Sequence, residues 1–416
     1  MHTQTESELE ELLSRPDDKT ADAMASIEGD LLILGAGGKM GPSLARLARR
    51  SCERAGIRKR IVAVARFTNS SLPAELGVLG IETITCDLLD RAALARLPGI
   101  PNVIFMAARK FGTSGEAHLT WAMNTYLPGL VAERYHDSQI VAFSTGNVYP
   151  LRSISQGGAQ ETTPVAPVGE YAQSALGRER MFEYASARWG TSVVLLRLNY
   201  AVELRYGVLV DIGLAVFERR PIDLAVPKVN VIWQGDANSW CLRSFPLCQA
   251  PPLVLNITGR EMLSVRELAL EFGEHFGIEP TFVSETEGSR ALLSDASKAR
   301  GLFGDPKISP QEMIPWIANW IRNGRHFSTS RRIFKHGTEN SNAIARTTAF
   351  GPGHPRAPPR SEFSTPVART PATGPHPLLF GRWRGRSRDR GSHHPVCDPK
   401  DWTARARADF VRRRMS

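Results

Sequence analysis

The sequence lacks any uninterrupted apolar run of the length that a membrane-spanning helix requires. Such a helix needs about 20 apolar residues, whereas the apolar runs of this 416-residue chain are of strand length. The N-terminal residues are acidic, with no basic segment before an apolar stretch, so we expect no secretory signal. Cysteine is scarce, and five cysteines at irregular spacing indicate thiols in a reducing compartment. We therefore expect a cytoplasmic protein without a membrane segment.

Basic charge is in excess, but the excess is confined to one end of the chain. The formal net charge is +10. Residues 326–416 hold 18 Lys and Arg against 6 Asp and Glu, whereas the residues before them hold 34 against 36. The part with a folding pattern is thus nearly neutral, and nucleic acid is not a favoured partner.

Residues 326–416 also differ in composition. They contain 10 of the 28 prolines, and clusters such as GRWRGRSRDR interrupt any hydrophobic periodicity. Such a segment buries too little apolar surface to offset its ordering entropy, so we predict a disordered basic tail. The same composition is typical of a GC-rich gene translated in a shifted frame. His393, His394 and Cys397 in this tail lack a fourth ligand, and no metal site is predicted.

Short apolar runs alternate with helical stretches in the preceding sequence. Continuous Val, Ile and Leu runs predict strands covered on both faces, and the alternation predicts parallel βαβ units. The runs are LLIL (31–34), IVAVA (61–65), ETITC (82–86), NVIFMA (102–107), QIVAFS (139–144), SVVLLRL (192–198) and PLVLNI (252–257). The sequence therefore predicts a Rossmann-type, doubly wound α/β fold with a smaller C-terminal region.

The predicted organisation has four parts. A helical extension over 1–28 precedes a Rossmann domain over 29–200. A substrate-binding region over 201–325 contributes returning Rossmann elements, and the tail over 326–416 follows.

A glycine-rich turn, GAGGKMG at 35–41, joins the first predicted strand to the first long helix. A dinucleotide pyrophosphate needs a tight turn, close backbone approach and a helix N-terminus directed at its charge. A P-loop is excluded, because the lysine of this turn is followed by methionine and not by Ser or Thr. The expected cofactor contacts are Gly35, Gly38, Lys39, Met40 and Gly41.

The end of the second predicted strand bears on the choice between NAD and NADP. An acidic side chain there accepts hydrogen bonds from the 2′-hydroxyl of NAD, whereas an arginine pairs with the 2′-phosphate of NADP. Arg66 stands at this position without a neighbouring acid. The sequence predicts NAD(P) as cofactor and slightly favours NADP, although Arg66 stacked on adenine or facing solvent is the alternative.

Together with later motifs, this turn resembles that of the extended short-chain dehydrogenase/reductase family, specifically its NAD-dependent epimerase/dehydratase group. The resemblance extends over about residues 29–325 and rests on ordered segments: GAGGKMG (35–41), CDL (86–88), FMAA (105–108), STGNVY (144–149), YAQSA (171–175) and RLNY (197–200). It implies an epimerase or reductase that acts by hydride transfer on a sugar or sugar-nucleotide-like substrate, and it implies a homodimer.

The resemblance also implies roles for single residues. Tyr171 would be the catalytic base and Thr145 the hydroxyl that polarises the reacting oxygen. Asn147 and Asn199 would lie beside the substrate. The further cofactor contacts would be Arg66, Asp87, Leu88, Ala107, Ala108 and Lys110.

Two departures from the family pattern stand out. The family lysine four residues after the tyrosine is Ala175 here, and an ordinary tyrosine titrates near pH ~10. Either Lys110 supplies the missing cation, or the protein is a non-catalytic dinucleotide-binding protein, a sensor or an enzyme relic. In the dehydratases an Asp-Glu pair follows the hydroxyl residue, whereas Gly146 and Asn147 follow Thr145 here, so elimination of water is not expected.

Overall fold

The computed structural model describes residues 5–110, 115–325 and 327, which all fall within one compact unit. The predicted basic tail lies outside the described residues, apart from Phe327. His393, His394 and Cys397 likewise lie outside them.

The strands are β1 (Leu31–Leu34), β2 (Ile61–Ala65), β3 (Glu82–Thr85), β4 (Asn102–Phe105), β5 (Gln139–Thr145), β6 (Arg152–Ser153), β7 (Val193–Leu198), β8 (Ala201–Val202), β9 (Lys228–Val229), β10 (Ile232–Trp233), β11 (Leu253–Ile257), β12 (Leu263–Ser264) and β13 (Arg290–Ala291). The helices are α1 (Glu6–Leu13), α2 (Asp18–Ser26), α3 (Gly41–Arg54), α4 (Leu72–Val78), α5 (Arg91–Arg96), α6 (Ala117–Trp121), α7 (Leu127–Arg134), α8 (Gly169–Trp189), α9 (Val208–Phe217), α10 (Gln234–Leu242), α11 (Val265–Phe276), α12 (Ser297–Phe303) and α13 (Pro310–Arg322). A π-helical turn, Ala122–Tyr126, links α6 to α7, and short 3₁₀ turns occupy Gly146–Val148, Ile154–Gln156 and Phe245–Leu247.

The centre of the fold is a seven-stranded sheet in the order β11-β7-β5-β4-β1-β2-β3. Every neighbouring pair in it is parallel. The strand order reverses beside β1, so the crevice between the carboxyl ends of β1 and β4 is where such folds bind ligands. The predicted Rossmann-type, doubly wound sheet is confirmed.

Alternate residues of each central strand pack into different cores. Leu31 and Ile33 of β1 belong to one buried apolar cluster, whereas Leu32 and Leu34 belong to another. Successive side chains of a strand point to opposite faces, so helices cover both faces of the sheet. This double burial is the reason for the continuous apolar runs.

A further apolar cluster is built mainly from the residues after position 200. It includes side chains of α9, α11 and α13, while β11 returns to the edge of the main sheet beside β7. Leu9 and Leu13 of α1 also belong to this cluster. The N-terminal extension therefore packs against the C-terminal region.

Ion pairs fix α1 in this position. Glu10 accepts hydrogen bonds from Arg46 of α3 at 2.6 Å and from Arg205 at 2.7 Å. Arg205 in turn pairs with the buried Glu203. The helix α2 follows with Asp17 as its N-cap and lies within the helical extension expected over 1–28.

Within the described part of the chain, no helix is both long and apolar enough to cross a membrane. The four described cysteines, Cys52, Cys86, Cys241 and Cys248, carry free thiols.

Candidate functional site

The glycine turn depends on two glycines for its shape. Gly35 has φ of +95°, and a Cβ at this position would lie 2.6 Å from the backbone nitrogen of Ala107. A Cβ on Gly41 would lie 2.3 Å from the carbonyl oxygen of Ala36. A side chain at either position would force the turn apart, because real Cβ atoms do not approach backbone atoms so closely.

Gly38 occupies a different environment in the same turn. A Cβ there would meet only the carbonyl oxygen of Gly35, at 3.4 Å, so this face of the turn is open. The helix α3 begins three residues later without a side-chain cap. Backbone N–H groups at a helix N-terminus attract anions, so the turn has the form of a pyrophosphate cradle.

The two longer side chains of the turn point in different directions. Met40 is half-buried and packs against one of the two apolar cores that flank the sheet. The ammonium of Lys39 lies 4.4 Å from the ring centroid of Tyr206. Burial lowers the pKa of Lys39, Asp211 and Glu203 oppose that effect, and the charge of Lys110 adds to it.

The residues expected at the adenosine end follow β2 and β3. These strands end side by side, since the Cys86 amide donates to the Ala65 carbonyl. Arg66 is exposed and has no ion-pair partner among the described residues. One carboxylate oxygen of Asp87 accepts from the Leu89 amide, and the exposed side chain leaves the other oxygen open. Leu88 is buried in the core, so its side chain has a packing role.

The end of β4 brings a cation to the candidate base. Ala107 is buried against Gly35, and Ala108 is exposed beside it. The ammonium of Lys110 then lies 5.8 Å from the ring centroid of Tyr171, near the start of α8. Tyr171 itself is half-buried.

Ala175 lies one helical turn after Tyr171 and is fully buried, with 0% of its surface exposed. It packs in a small apolar cluster with Val148, Tyr149 and Ala159. A lysine at this position would have to bring its ammonium past these side chains.

The candidate hydroxyl and substrate residues lie at the ends of β5 and β7. Thr145 is buried, and its Oγ1 accepts from the Asn147 amide at 3.2 Å. Asn147 is half-buried. Asn199 is 3% exposed, and its Nδ2 donates to Asn230 Oδ1 at 2.8 Å. The amide hydrogens of Asn199 therefore face the protein. Its Oδ1 lies against Gly146 and is the atom that faces this end of β5.

The sequence of this region matches a known family. Residues 31–202 match the sequence model of the NAD dependent epimerase/dehydratase family. Residues 31–202 thus form an NAD-dependent epimerase/dehydratase-like domain. The family resemblance drawn from the motifs is thereby confirmed. No curated protein sequence matches the chain.

Solved structures with the fold of this epimerase/dehydratase domain include nucleotide-sugar epimerases. UDP-glucose 4-epimerase from Thermotoga maritima is 16% identical, over 71% of this chain and 99% of that one, with a TM-score of 0.57. UDP-glucuronic acid 4-epimerase from Bacillus cereus, in complex with NAD, is 17% identical over 71% and 99%, with a TM-score of 0.59. UDP-glucose 4-epimerase from Thermus thermophilus, also with NAD, is 18% identical over 70% and 99%, with a TM-score of 0.58. Likeness at these identities establishes the fold.

The epimerase/dehydratase domain also contains a buried cation that the sequence analysis missed. Arg178 lies on α8, two helical turns after Tyr171, and interacts with it electrostatically. Its Nη1 donates to the Phe143 carbonyl at 2.7 Å and its Nη2 to Asn124 Oδ1 at 3.0 Å. Burial lowers the pKa of Arg178. An arginine seven residues from the tyrosine, on the same helix face, was the signal available in the sequence.

Asn124 connects three elements around this cation. It lies in the π-helical turn, and its Oδ1 also accepts from the Arg109 amide at 2.9 Å. Its Nδ2 donates to Ser174 Oγ at 3.0 Å. The backbone next to Lys110 is therefore tied to α8 close to Tyr171.

A second buried network supports the end of β5. Glu179 of α8 accepts from Ser144 Oγ and pairs with Arg197 at 2.8 Å. Arg197 also donates to the Tyr149 hydroxyl at 2.7 Å. These bonds hold Ser144 in the protein interior and leave Thr145 as the hydroxyl at the strand end. Within the described ranges, no group of three or more His, Cys, Asp or Glu side chains is arranged to hold a metal ion.

Proposed function

We propose that this chain binds NAD(P) on the glycine turn and acts as an epimerase or reductase on a sugar or sugar-nucleotide-like substrate. The observation that carries the proposal is the convergence of Lys110 on Tyr171 at the carboxyl edge of the sheet. The same edge carries the open face of Gly38. The cofactor and the reacting groups would therefore meet in the crevice beside β1.

The residues of the turn fit a dinucleotide. Gly38 leaves room for a pyrophosphate, the uncapped start of α3 would attract its charge, and Gly35 and Gly41 keep the turn tight. Lys39 would add a positive charge beside the phosphates. Arg66 would pair with a 2′-phosphate, which supports NADP over NAD; the similar structures from B. cereus and T. thermophilus are complexes with NAD.

When bound, the nicotinamide exchanges a hydride with a substrate carbon. Tyr171 would take the proton from the substrate hydroxyl, and Thr145 would donate a hydrogen bond to the same oxygen. Lys110 would favour the charged form of the tyrosine, because an opposite charge nearby stabilises an anion. Asn147 and Asn199 Oδ1 would orient the substrate beside Thr145.

The substrate class rests on the similar proteins. Those solved structures are epimerases named for UDP-glucose and UDP-glucuronic acid. We propose the same class of nucleotide-linked sugar for this chain. The free thiols of the described cysteines support a cytoplasmic location.

A homodimer is the proposed assembly. The helices α6 and α8 and the π-helical turn expose aromatic side chains, with Tyr126 50% and Tyr184 58% accessible. Trp121, which bonds Glu170 at the start of α8, and Trp189, which ends that helix, are also exposed. Exposed aromatic groups along these helices favour a protein partner. This assembly is tested by comparing the sedimentation of the full chain with that of a Tyr126→Asp, Tyr184→Asp double variant.

The competing function is dinucleotide binding without catalysis, which Ala175 favours. To decide, the full chain is incubated with NAD or NADP and with UDP-glucose or UDP-glucuronic acid. The proposed function predicts one of two results: an epimerised sugar by chromatography with no net change in the nicotinamide, or an oxidised sugar with an equal amount of reduced nicotinamide measured by absorbance. Thermal stabilisation by dinucleotide with no change in any sugar would instead establish the non-catalytic function.

A further inference from the structure

Arg178 of α8 is a buried cation near the carboxyl edge of the sheet, with 3% of its surface exposed. Its guanidinium carbon lies 5.7 Å from the ring centroid of Phe105, the last residue of β4. Its Nη1 donates to the carbonyl of Phe143 in the neighbouring parallel strand β5 at 2.7 Å. The guanidinium therefore lies at the point where the chain leaves β4 toward Lys110.

The burial of this charge costs free energy. Arg178 has no carboxylate within ion-pair distance among the described residues, and its buried Nε has no hydrogen-bond partner there. Burial of an incompletely paired cation is unfavourable. An apolar side chain of similar volume would avoid this cost, so packing alone does not account for an arginine at this position.

The second amino group of Arg178 sets the orientation of Asn124. Its Nη2 donates to Asn124 Oδ1 at 3.0 Å, and the Arg109 amide donates to the same oxygen at 2.9 Å. Because a guanidinium has donors only, it favours the orientation in which the amide oxygen faces it. The amide nitrogen is then directed to the Arg109 carbonyl and to Ser174 Oγ, each at 3.0 Å. Asn124 thereby uses its full hydrogen-bonding capacity.

The bonds of Asn124 hold the backbone on both sides of the candidate base. Its side chain binds the amide and the carbonyl of Arg109, so the chain is fixed at the residue before Lys110. On the other side, the Ser174 hydroxyl that accepts from Asn124 donates to the Tyr171 carbonyl at 3.0 Å. One connected set of hydrogen bonds therefore joins the guanidinium of α8 to both segments.

We propose that Arg178 is a positioning residue: through Asn124 it fixes the backbone before Lys110 and so sets the approach of that cation to Tyr171. Its effect on the reaction rests on the proposed function, whereas the fixing of the backbone does not. Lysine at position 178 would keep a positive charge, but a single ammonium does not reproduce the planar fork that serves two acceptors. Arg178→Lys therefore separates position from charge.

The first measurement is hydrogen exchange of the full chain without ligand, read by mass spectrometry with single-residue fragmentation. In Arg178→Lys the Arg109 amide should exchange at least about fivefold faster, because its acceptor is held less firmly. The Met106 amide, which donates to the Leu34 carbonyl of β1, should exchange as in the parent. Unchanged exchange at Arg109, or equal acceleration of both amides, would overturn the proposal.

The second measurement compares sugar conversion by the parent, Arg178→Lys, Lys110→Ala and the double variant. Arg178→Lys should lower turnover at pH 7 at least about fivefold. If Arg178 acts through Lys110, the double variant should be no slower than Lys110→Ala alone. The loss in Arg178→Lys should also diminish toward alkaline pH, as expected when a cation beside a tyrosine is displaced. A general loosening of the fold would not change the pH profile in this way.

Arg134→Lys is the matched control, because Arg134 of α7 also donates to a backbone carbonyl, that of Leu97, at 2.7 Å. Leu97 precedes β4, so this variant should leave turnover and the pH profile unchanged. Additive losses in the double variant, or an equal loss at every pH, would overturn the proposal.

The two measurements separate this proposal from the proposed function. A parent that converts no sugar and that NAD does not stabilise would reject the proposed function. Exchange at the Arg109 amide would still decide whether Arg178 fixes the segment that carries Lys110.

Discussion

The ammonium of Lys110 lies 5.8 Å from the ring centroid of Tyr171, although the two residues are far apart in the sequence. Lys110 follows β4, and Tyr171 is the third residue of α8. A cation at this distance both attracts the aromatic ring and favours a nearby phenolate. The position that carries a lysine in the family motif is Ala175, so Lys110 is the residue on which catalysis would depend.

Replacement of this lysine should reduce turnover. We expect Lys110→Ala to lower the rate of sugar conversion at pH 7 at least about tenfold, which corresponds to about 1.4 kcal/mol in the barrier. The loss should diminish toward alkaline pH, because hydroxide then removes the phenol proton without help from a cation. The measurement is the pH–rate profile of both proteins.

Lys110→Arg serves as the control, since it keeps the charge, and Tyr171→Phe should abolish turnover at every pH. An unchanged rate and profile in Lys110→Ala would show that the cation is not required.

Insertion of the family lysine at position 175 should destabilise the protein. Ala175 is fully buried among Val148, Tyr149 and Ala159. Overpacking of a core costs about 1–3 kcal/mol, and burial of an unpaired ammonium costs more than that of a neutral polar group. We expect Ala175→Lys to lower the melting temperature by several degrees. Ala187→Lys is the matched control on the same helix, because Ala187 is exposed. Equal melting temperatures for the two variants would contradict the burial of Ala175.

The glycines of the turn should respond differently to substitution. In Gly38→Val the new side chain enters open space, so we expect a folded protein that NAD and NADP no longer stabilise. In Gly41→Val the Cβ would collide with the Ala36 carbonyl, so we expect loss of stability itself. Thermal melts of both variants with and without dinucleotide make the comparison. Full dinucleotide stabilisation in Gly38→Val would place the cofactor elsewhere.

Arg66 should set the preference for the phosphorylated cofactor. Arg66→Asp replaces a charge-assisted bond to the 2′-phosphate by repulsion. We expect the affinity for NADP relative to NAD to fall at least about tenfold, or about 1.4 kcal/mol. Arg58→Asp removes another exposed arginine, at the opposite end of β2, and should leave the ratio unchanged. The ratio comes from titration of each cofactor; a constant ratio in Arg66→Asp would reject the assignment.

Glu203 should make stability depend on pH. Burial raises the pKa of Glu203 from its ordinary 4.5 to about 7, although Arg205 opposes the shift. Between these two values the folded protein binds more protons than the unfolded chain, so its stability decreases as the pH rises. Glu203→Gln has no carboxyl group at this position and so lacks this contribution to the pH dependence of stability. The stability of the parent relative to Glu203→Gln should therefore fall from pH 5 to pH 8.

Urea unfolding of both proteins at pH 5, 6, 7 and 8 measures this difference. Glu279→Gln, at an exposed position, controls for the removal of one carboxylate. A difference between parent and Glu203→Gln that is constant with pH would mean that Glu203 is charged throughout the range.

The sequence by itself determined the central sheet and the glycine turn. Runs such as LLIL and IVAVA became β1 and β2 because a strand buried on both faces must be apolar throughout. The turn was recognisable because Gly35 adopts a φ that other residues avoid and Gly41 leaves no room for a side chain. Such requirements act on single residues and their neighbours in the chain, so they are written in local sequence.

Only the tertiary structure decided which distant side chains meet. The approach of Lys110 to Tyr171 and the burial of Arg178 against Phe143 have no periodicity that a sequence displays. Each depends on where loops and helices from separate parts of the chain are packed against the sheet. Local patterns specify the backbone of an element, whereas the distance between two charges is set by the packing of all the elements between them.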